Sequence, residues 1–228
     1  MIEVIAQHAD YCVVYKPADV NFHDEGDIGQ GFFNQAQKQL QCDALYPAHR
    51  LDKMTSGLVI LAKNKASAAQ FQQLFSQHKI DKFYLAISHQ KPKKKQGTIK
   101  GDMAKSRRGA YKLLRTTNNP AISQFFSHSL GQGQRLYLLR PLSGKTHQLR
   151  VALASIGAPI LGDNLYAKGE HSESDRGYLH AFRLSFNWQG EQQNYTCLPR
   201  QGRAFLTDDC QAQINQWLEP ELLNWPKR

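Results

Sequence analysis

The sequence predicts an α+β fold, a mixed and mainly antiparallel sheet flanked by helices, and three observations carry that expectation. Short apolar runs of strand length outnumber the segments with helical periodicity. Several of those runs are joined by short glycine-containing turns, GQGQ and QGE among them, which is the signature of hairpins. The 228 residues contain no internal repeat and no low-complexity tract, so a single domain over 1–228 is expected, carrying a basic insertion at about 91–115.

In chain order, residues 2–5 and 11–15 are expected as strands around a His-Ala-Asp turn, with Pro17 closing the second because it lacks a ladder donor. A loop, DEGDIGQG, leads to a helix over 32–41, and LVILA at 58–62 has the continuous apolar character of a buried strand. Asn64 is expected to cap a helix whose apolar face comprises Ala68, Phe71, Leu74, Phe75 and His78. A strand over 83–88 precedes KPKKKQGTIKGDMAKSRRGAYKLL, which has too few apolar residues for a core and is expected as a mobile hairpin or arm that orders on a partner. AISQFFSHSL and RLYLLRPL form a hairpin. THQLRVALASIG forms a helix with Thr146 as N-cap and Gly157 as C-terminal cap, and His147 and Arg150 on its outward face. LHAFRLSFNW and QNYTCL are two further strands, and a short helix over 208–218 follows.

Composition excludes several classes of function. No apolar run approaches the roughly 18 residues of a membrane span, and the N-terminus lacks a basic segment followed by an apolar one, so a cytoplasmic protein is expected. Cys12, Cys42, Cys197 and Cys210 are scattered without C-x-x-C pairs, which argues for reduced thiols and against a zinc site or a disulfide framework. The net charge of +10 points to a polyanionic partner. Lys91, Lys93, Lys94, Lys95, Lys100, Lys105, Arg107, Arg108, Lys112 and Arg115 cluster in one segment whose single acid is Asp102, and that clustering favours nucleic acid over a generic basic surface.

Four places have the residue types for chemistry. Ser143-Gly144-Lys145-Thr146 sits between a strand and a helix, as a phosphate-binding loop would, but G-x-x-x-x-G-K-[ST] requires glycine at 139, which is Leu139. Nucleotide hydrolysis is therefore a poor reading. The start of the following helix, with Lys145, His147 and Arg150, is either an anion site or a solvated helix face. Asp52, in the polar link HRLDKM, is by itself most simply a turn residue. Beside Arg50, Lys53 and any cation from 145–150 it would stay ionised, and it is then a candidate nucleophile or electrostatic stabiliser. Tyr84 is either a core aromatic or, in a cleft, a platform for a base.

YKPADVNFH (15–23), HRLDKMTSGLVILAKN (49–64), KFYLAIS (82–88), RPLSGKTHQLRVALASIGAPILGDNLY (140–166) and LHAFRLSF (179–186), in this order, resemble the RluA-type pseudouridine synthases that act on ribosomal or transfer RNA. The resemblance covers roughly residues 8–200. It implies the pseudouridine synthase catalytic fold with a central active-site cleft, no metal or organic cofactor, RNA as partner, no membrane association and a monomer. Transferred residue by residue, it implies Asp52 as the catalytic aspartate, Tyr84 as the active-site tyrosine and Arg150 as the arginine paired with Asp52. Arg50 would help to displace the target nucleotide, and His49, Lys145, His147, Lys93, Lys94, Lys95, Arg107 and Arg108 would contact the RNA.

Extruding a nucleotide costs a few kcal/mol, which phosphate contacts must offset. Three departures from the family pattern stand out: Lys145 where arginine is common, Ala152 where histidine often stands, and the expected lack of the small N-terminal RNA-binding domain that several relatives carry. A non-catalytic RNA-binding or chaperone protein on the same fold is the competing reading. Joint presence of Asp52, Tyr84 and Arg150 argues against it, because RNA affinity alone needs no carboxylate beside phosphates.

Overall fold

A computed structural model of the chain describes residues 2–26, 28–42, 44–92, 94–168 and 174–227. In chain order the elements are β1 (Glu3–Gln7), β2 (Tyr11–Lys16), α1 (Phe32–Leu40), β3 (Tyr46–Pro47), β4 (Ser56–Ala62), α2 (Lys65–Ser76), β5 (Ile80–Ser88), β6 (Gln96–Gly101), β7 (Met103–Lys105), β8 (Tyr111–Leu113), β9 (Ala121–Gly131), β10 (Gln134–Pro141), α3 (Gln148–Ser155), β11 (Leu179–Trp188), β12 (Glu191–Thr196) and α4 (Asp208–Gln216). Strands outnumber helices among the described residues, and β4 pairs with β11 in parallel while β1–β2, β2–β4, β3–β4, β5–β10, β9–β10, β6–β9, β7–β8 and β11–β12 pair antiparallel, so the mixed, mainly antiparallel α+β expectation holds. No helix among the described residues is long and apolar enough to cross a membrane. Cα packing divides the chain into two compact units, Met1–Lys82 with His180–Leu198, and Phe83–Leu179 with Pro199–Arg228.

In the first unit β4 is the central strand, and all seven of its residues are buried. β2 covers one edge in antiparallel register from Tyr11↔Ala62 to Lys16↔Gly57. The other edge is shared: β11 pairs in parallel at Ser56 and Gly57, and β3 pairs at Leu61 and Ala62. Alternate residues of β2, β4 and β11 face α2, so that Tyr11, Val13, Leu58, Ile60, Leu184, Phe186 and Trp188 form one core with Phe71. Phe71 stacks on Trp188 with centroids 4.4 Å apart. α2 begins as expected, Asn64 accepting from the Ser67 amide at 2.8 Å, but it ends at Ser76, and His78 lies beyond it in the left-handed region (φ 54°).

The second unit is built on β5, β10, β9 and β6, antiparallel throughout, with β7 and β8 as a separate two-stranded hairpin. The segment expected as a mobile hairpin or arm is therefore largely folded, and its β7–β8 part is a hairpin. β6 pairs with β9 along its whole length and buries Ile99, while β7 and β8 close around a short 3-10 turn at Arg107–Gly109. Its single acid is structural: the Asp102 carboxylate accepts from the Asn118 and Asn119 amides at 3.0 and 2.8 Å, and the Thr116 hydroxyl chiefly holds it below the usual carboxylate range. The C-terminal tail packs on this sheet, with Trp225 against Phe83 and Phe126 and the Arg140 guanidinium over both Phe83 and Trp225.

The glycine of the TSG sequence has a steric cause. Gly57 adopts φ +111°, and a Cβ there would lie 2.2 Å from the carbonyl oxygen of Ala181, its partner in β11. Gly57→Ala is expected to lower unfolding free energy by about 3 kcal/mol or more in urea titration, and a loss under about 1 kcal/mol would show that the strands separate freely.

Candidate active site

The loop between β3 and β4 alternates anchors and charges. Leu51 and Met54 are buried, Arg50 and Lys53 are exposed, and Asp52 is half-buried. The Asp52 carbonyl accepts from the Thr55 amide at 3.0 Å, which turns the chain immediately before the strand.

What fixes this turn is Lys16, the last residue of β2, whose side chain is wholly buried. Its ammonium donates to the carbonyls of Pro17 (3.0 Å), Lys53 (3.1 Å) and Thr55 (2.9 Å). An ammonium out of water costs several kcal/mol unless its three donors are matched, and here three carbonyls match them. The lysine was overlooked in the sequence, although a single cation ending the apolar run YCVVYK is the signal that marks it.

His49 opens the same loop and completes the β4 ladder. Its Nε2 accepts from the Ile60 amide at 3.1 Å, while the Ala48 amide donates to the Ile60 carbonyl, between the stretches paired by β11 and β3. Its ring rests on Phe75, centroids 5.0 Å apart. Burial, with a smaller contribution from the nearby Lys82 charge, pushes the imidazole down to about 3. Ser56 hydrogen-bonds His180 Nδ1 at 2.8 Å, and Nε2 of that buried histidine meets the Cys197 carbonyl at 2.7 Å, so the far end of the TSG turn is also held.

In the second unit Tyr84 lies half-buried on β5 opposite Leu139 of β10. One hydrogen bond docks the 160–167 loop on the same strand, the Leu161 amide donating to the Ile87 carbonyl at 2.8 Å; the Ile87 amide donates to the Tyr178 carbonyl at 3.1 Å, and the Tyr178 amide returns to the Leu161 carbonyl at 2.9 Å, which brings 176–178 against the loop. Gly162 permits this approach, since a Cβ there would meet the Arg176 carbonyl at 2.1 Å. The loop carries Asp163, wholly buried, which takes Arg150 Nε at 2.7 Å and Nη2 at 2.8 Å in a bidentate pair.

Two expectations for this helix are corrected. Arg150 is only 8% exposed, and Gln148 to Leu153 are all buried, so Arg150 does not face solvent. Thr146 is not the N-cap: His147 precedes α3 in a left-handed conformation without a side-chain cap. Gln148 organises the start instead. Its Oε1 accepts from Ser143 Oγ (2.7 Å) and the Lys145 amide (3.0 Å), and its Nε2 donates to the Ile122 carbonyl and Ser123 Oγ at 3.0 Å each. Gly157 ends the helix as expected, with the Ala158 amide returning to the Leu153 carbonyl at 3.0 Å.

Lys145 reaches Asn119 Oδ1 at 3.0 Å, and His147 Nδ1 lies 3.0 Å from the Tyr166 hydroxyl. Lys94, Lys95, Arg107 and Arg108 are exposed, and Lys93 lies outside the described residues. The structure thus gathers His49, Arg50 and Asp52 in one loop of the first unit. Tyr84, Lys145, His147, Arg150 and the basic hairpin belong to the second.

Two outcomes follow. The folded state keeps His49 neutral down to about 3, whereas the unfolded chain protonates it near 6.5, so the unfolded state binds more protons across that window. Stability present above pH 6.5 should fall as pH drops toward 3, at up to about 1.4 kcal/mol per pH unit from this residue, and His49→Gln should flatten the pH dependence of the urea midpoint. Separately, Asp163→Asn removes the bidentate carboxylate from the buried Arg150 guanidinium and should cost about 3–5 kcal/mol in the same assay. A loss below about 1 kcal/mol would mean that the pair is hydrated.

Comparison with known proteins supplies the remaining finding. Residues 10–155 match the family model described as RNA pseudouridylate synthase. A protein of Haemophilus influenzae called an uncharacterized RNA pseudouridine synthase is 48% identical over 98% of this chain and 99% of its own length. Ribosomal large subunit pseudouridine synthase C of Rickettsia bellii is 35% identical over 58% of this chain, a match spanning 46% of that protein. Human RNA Pseudouridylate Synthase Domain Containing 1 shares the fold, with a TM-score of 0.76 at 24% identity over 100% of this chain and 97% of its own. Human RNA Pseudouridylate Synthase Domain Containing 4 gives 0.70 at 26% identity over 87% and 89%. With the family model covering well over half of the sequence, the chain belongs to the RNA pseudouridylate synthases of the RluA type, isomerases that act on RNA.

Proposed function

We propose that this chain converts specific uridines of ribosomal or transfer RNA to pseudouridine, with Asp52, Tyr84 and Arg150 as its catalytic residues. The observation that carries the assignment is the construction of the Asp52 turn: a half-buried carboxylate on a backbone held by Leu51, Met54 and the saturated ammonium of Lys16. Such a fixed carboxylate suits a reaction that rewards positioning.

In that reaction the N1–C1′ bond breaks, the base turns, C5 bonds to C1′, the C5 proton leaves and N1 is protonated. Atoms and electrons balance within the nucleotide, so no external oxidant, reductant or group donor is required. Asp52 attacks C1′ or promotes elimination toward a glycal, and both routes use the same carboxylate. Arg150 supplies positive charge to the reaction, and Tyr84 stacks on the released uracil. Arg50 assists extrusion of the nucleotide. Lys93, Lys94, Lys95, Arg107, Arg108 and Lys145 supply the phosphate contacts, and His49 and His147 meet the RNA as rings rather than as charges.

The whole chain serves as one catalytic domain, acting as a cytoplasmic monomer without a metal or organic cofactor. The Rickettsia relative's name makes large-subunit ribosomal RNA the first target to map. Pseudouridine mapping in cells lacking the gene should reveal a lost site that wild type restores and Asp52→Asn does not, with the variant's rate on that RNA down at least about a hundredfold. Full restoration by Asp52→Asn would overturn the reading in favour of an RNA-binding role.

A further inference from the structure

We propose that Tyr166 is a positioning residue that couples the basic hairpin to Arg150, so that RNA held at the hairpin tip is brought into register with the guanidinium. This rests on the preceding reading of Arg150 and of the hairpin as an RNA contact.

Three contacts converge on this one side chain. Its hydroxyl accepts from the Tyr111 amide of β8 at 2.9 Å and lies 3.0 Å from His147 Nδ1. Having accepted that amide, the oxygen can donate its own proton to Nδ1 of the Nε2–H tautomer or accept a second bond from Nδ1–H, so the pair holds in either tautomer of His147. The His147 ring meets Tyr111 and Tyr166 edge-on, at 5.7 and 5.8 Å. The Tyr166 ring in turn lies under the Arg150 guanidinium, 5.1 Å from its centroid. Asp163 closes the arrangement: the Oδ1 that receives Arg150 Nη2 also accepts from the Leu165 and Tyr166 amides, at 3.1 and 3.3 Å.

The placement along the hairpin matters. β7 and β8 pair with each other and not with the main sheet, and Lys105↔Tyr111 is their last pair before the turn that exposes Arg107 and Arg108. The hydroxyl therefore grips the hairpin at the end nearest its charged tip. Phenylalanine at 166 would keep the ring beneath Arg150 and release the Tyr111 amide. Leucine would lose both.

The two substitutions separate the roles. In Tyr166→Phe, hydrogen exchange at the Tyr111 amide should quicken at least about tenfold, with β9 and β10 amides unchanged as an internal reference. The concentration of an in vitro transcript of large-subunit ribosomal RNA needed for half-saturation should rise about tenfold. In Tyr166→Leu, single-turnover release of tritium from [5-³H]uridine in that transcript, at saturating RNA, should fall at least about tenfold below the Tyr166→Phe value. Wild-type exchange at Tyr111, unchanged half-saturation in Tyr166→Phe, or equal saturating rates in the two variants would each overturn the coupling. Exchange and binding are read without turnover, so an active Asp52→Asn would defeat the proposed function and leave these outcomes standing.

Discussion

A charge removed from water must replace its hydration with protein acceptors, and among the buried cations Lys16 and Arg150 impose that requirement on the two loops that carry or support the site residues. Lys16 meets it by collecting three main-chain carbonyls, two of which belong to the loop that bears Asp52. Arg150 meets it with both oxygens of Asp163 and the face of Tyr166. In each unit the demand for saturation dictates the path of an irregular segment. The 50–55 turn cannot relax without orphaning an ammonium, and the 160–167 loop cannot leave β5 without orphaning a guanidinium. Irregular backbone, normally the adaptable part of a fold, is here tied to buried charge.

Apolar strands around these cations supply rigidity but not direction. β4 is buried along its whole length, yet its second edge is covered by three different partners, β11, His49 with Ala48, and β3. An imidazole that serves as a ladder acceptor must remain neutral, which is why its depressed pKa belongs to the architecture of the loop as much as to its surroundings.

Local signals in the sequence were enough for β1, β2, β4, β5 and β9 to β12 and for two helix ends, because each depends on residues within a few positions of it. Asn64 capping Ser67 and Gly157 ending α3 are cases in point. The misjudged features depend on distant partners. Arg150 looked solvent-facing because its counter-ion lies thirteen residues away on another loop. Thr146 looked like a cap because the side chain that does the work, Gln148, bonds back to Ile122 and Ser123 on β9. The segment 91–115 looked like an arm because its folding depends on β9 and on Tyr166 and not on its own apolar content. Motif resemblance named the loops that matter, while Lys16, Gln148, Asp163 and Tyr166, all lying inside the quoted motifs, became legible only through their contacts.

The Ser-Gly-Lys-Thr turn carries a consequence for selectivity among anions. In a nucleotide-binding loop the main-chain amides and the hydroxyl are left open for phosphate oxygens. Here the carboxamide oxygen of Gln148 already accepts from the Lys145 amide and the Ser143 hydroxyl, so the turn is ligated by its own chain. Free nucleotides, abundant competitors for any cationic patch, meet a turn whose amide and hydroxyl are already engaged.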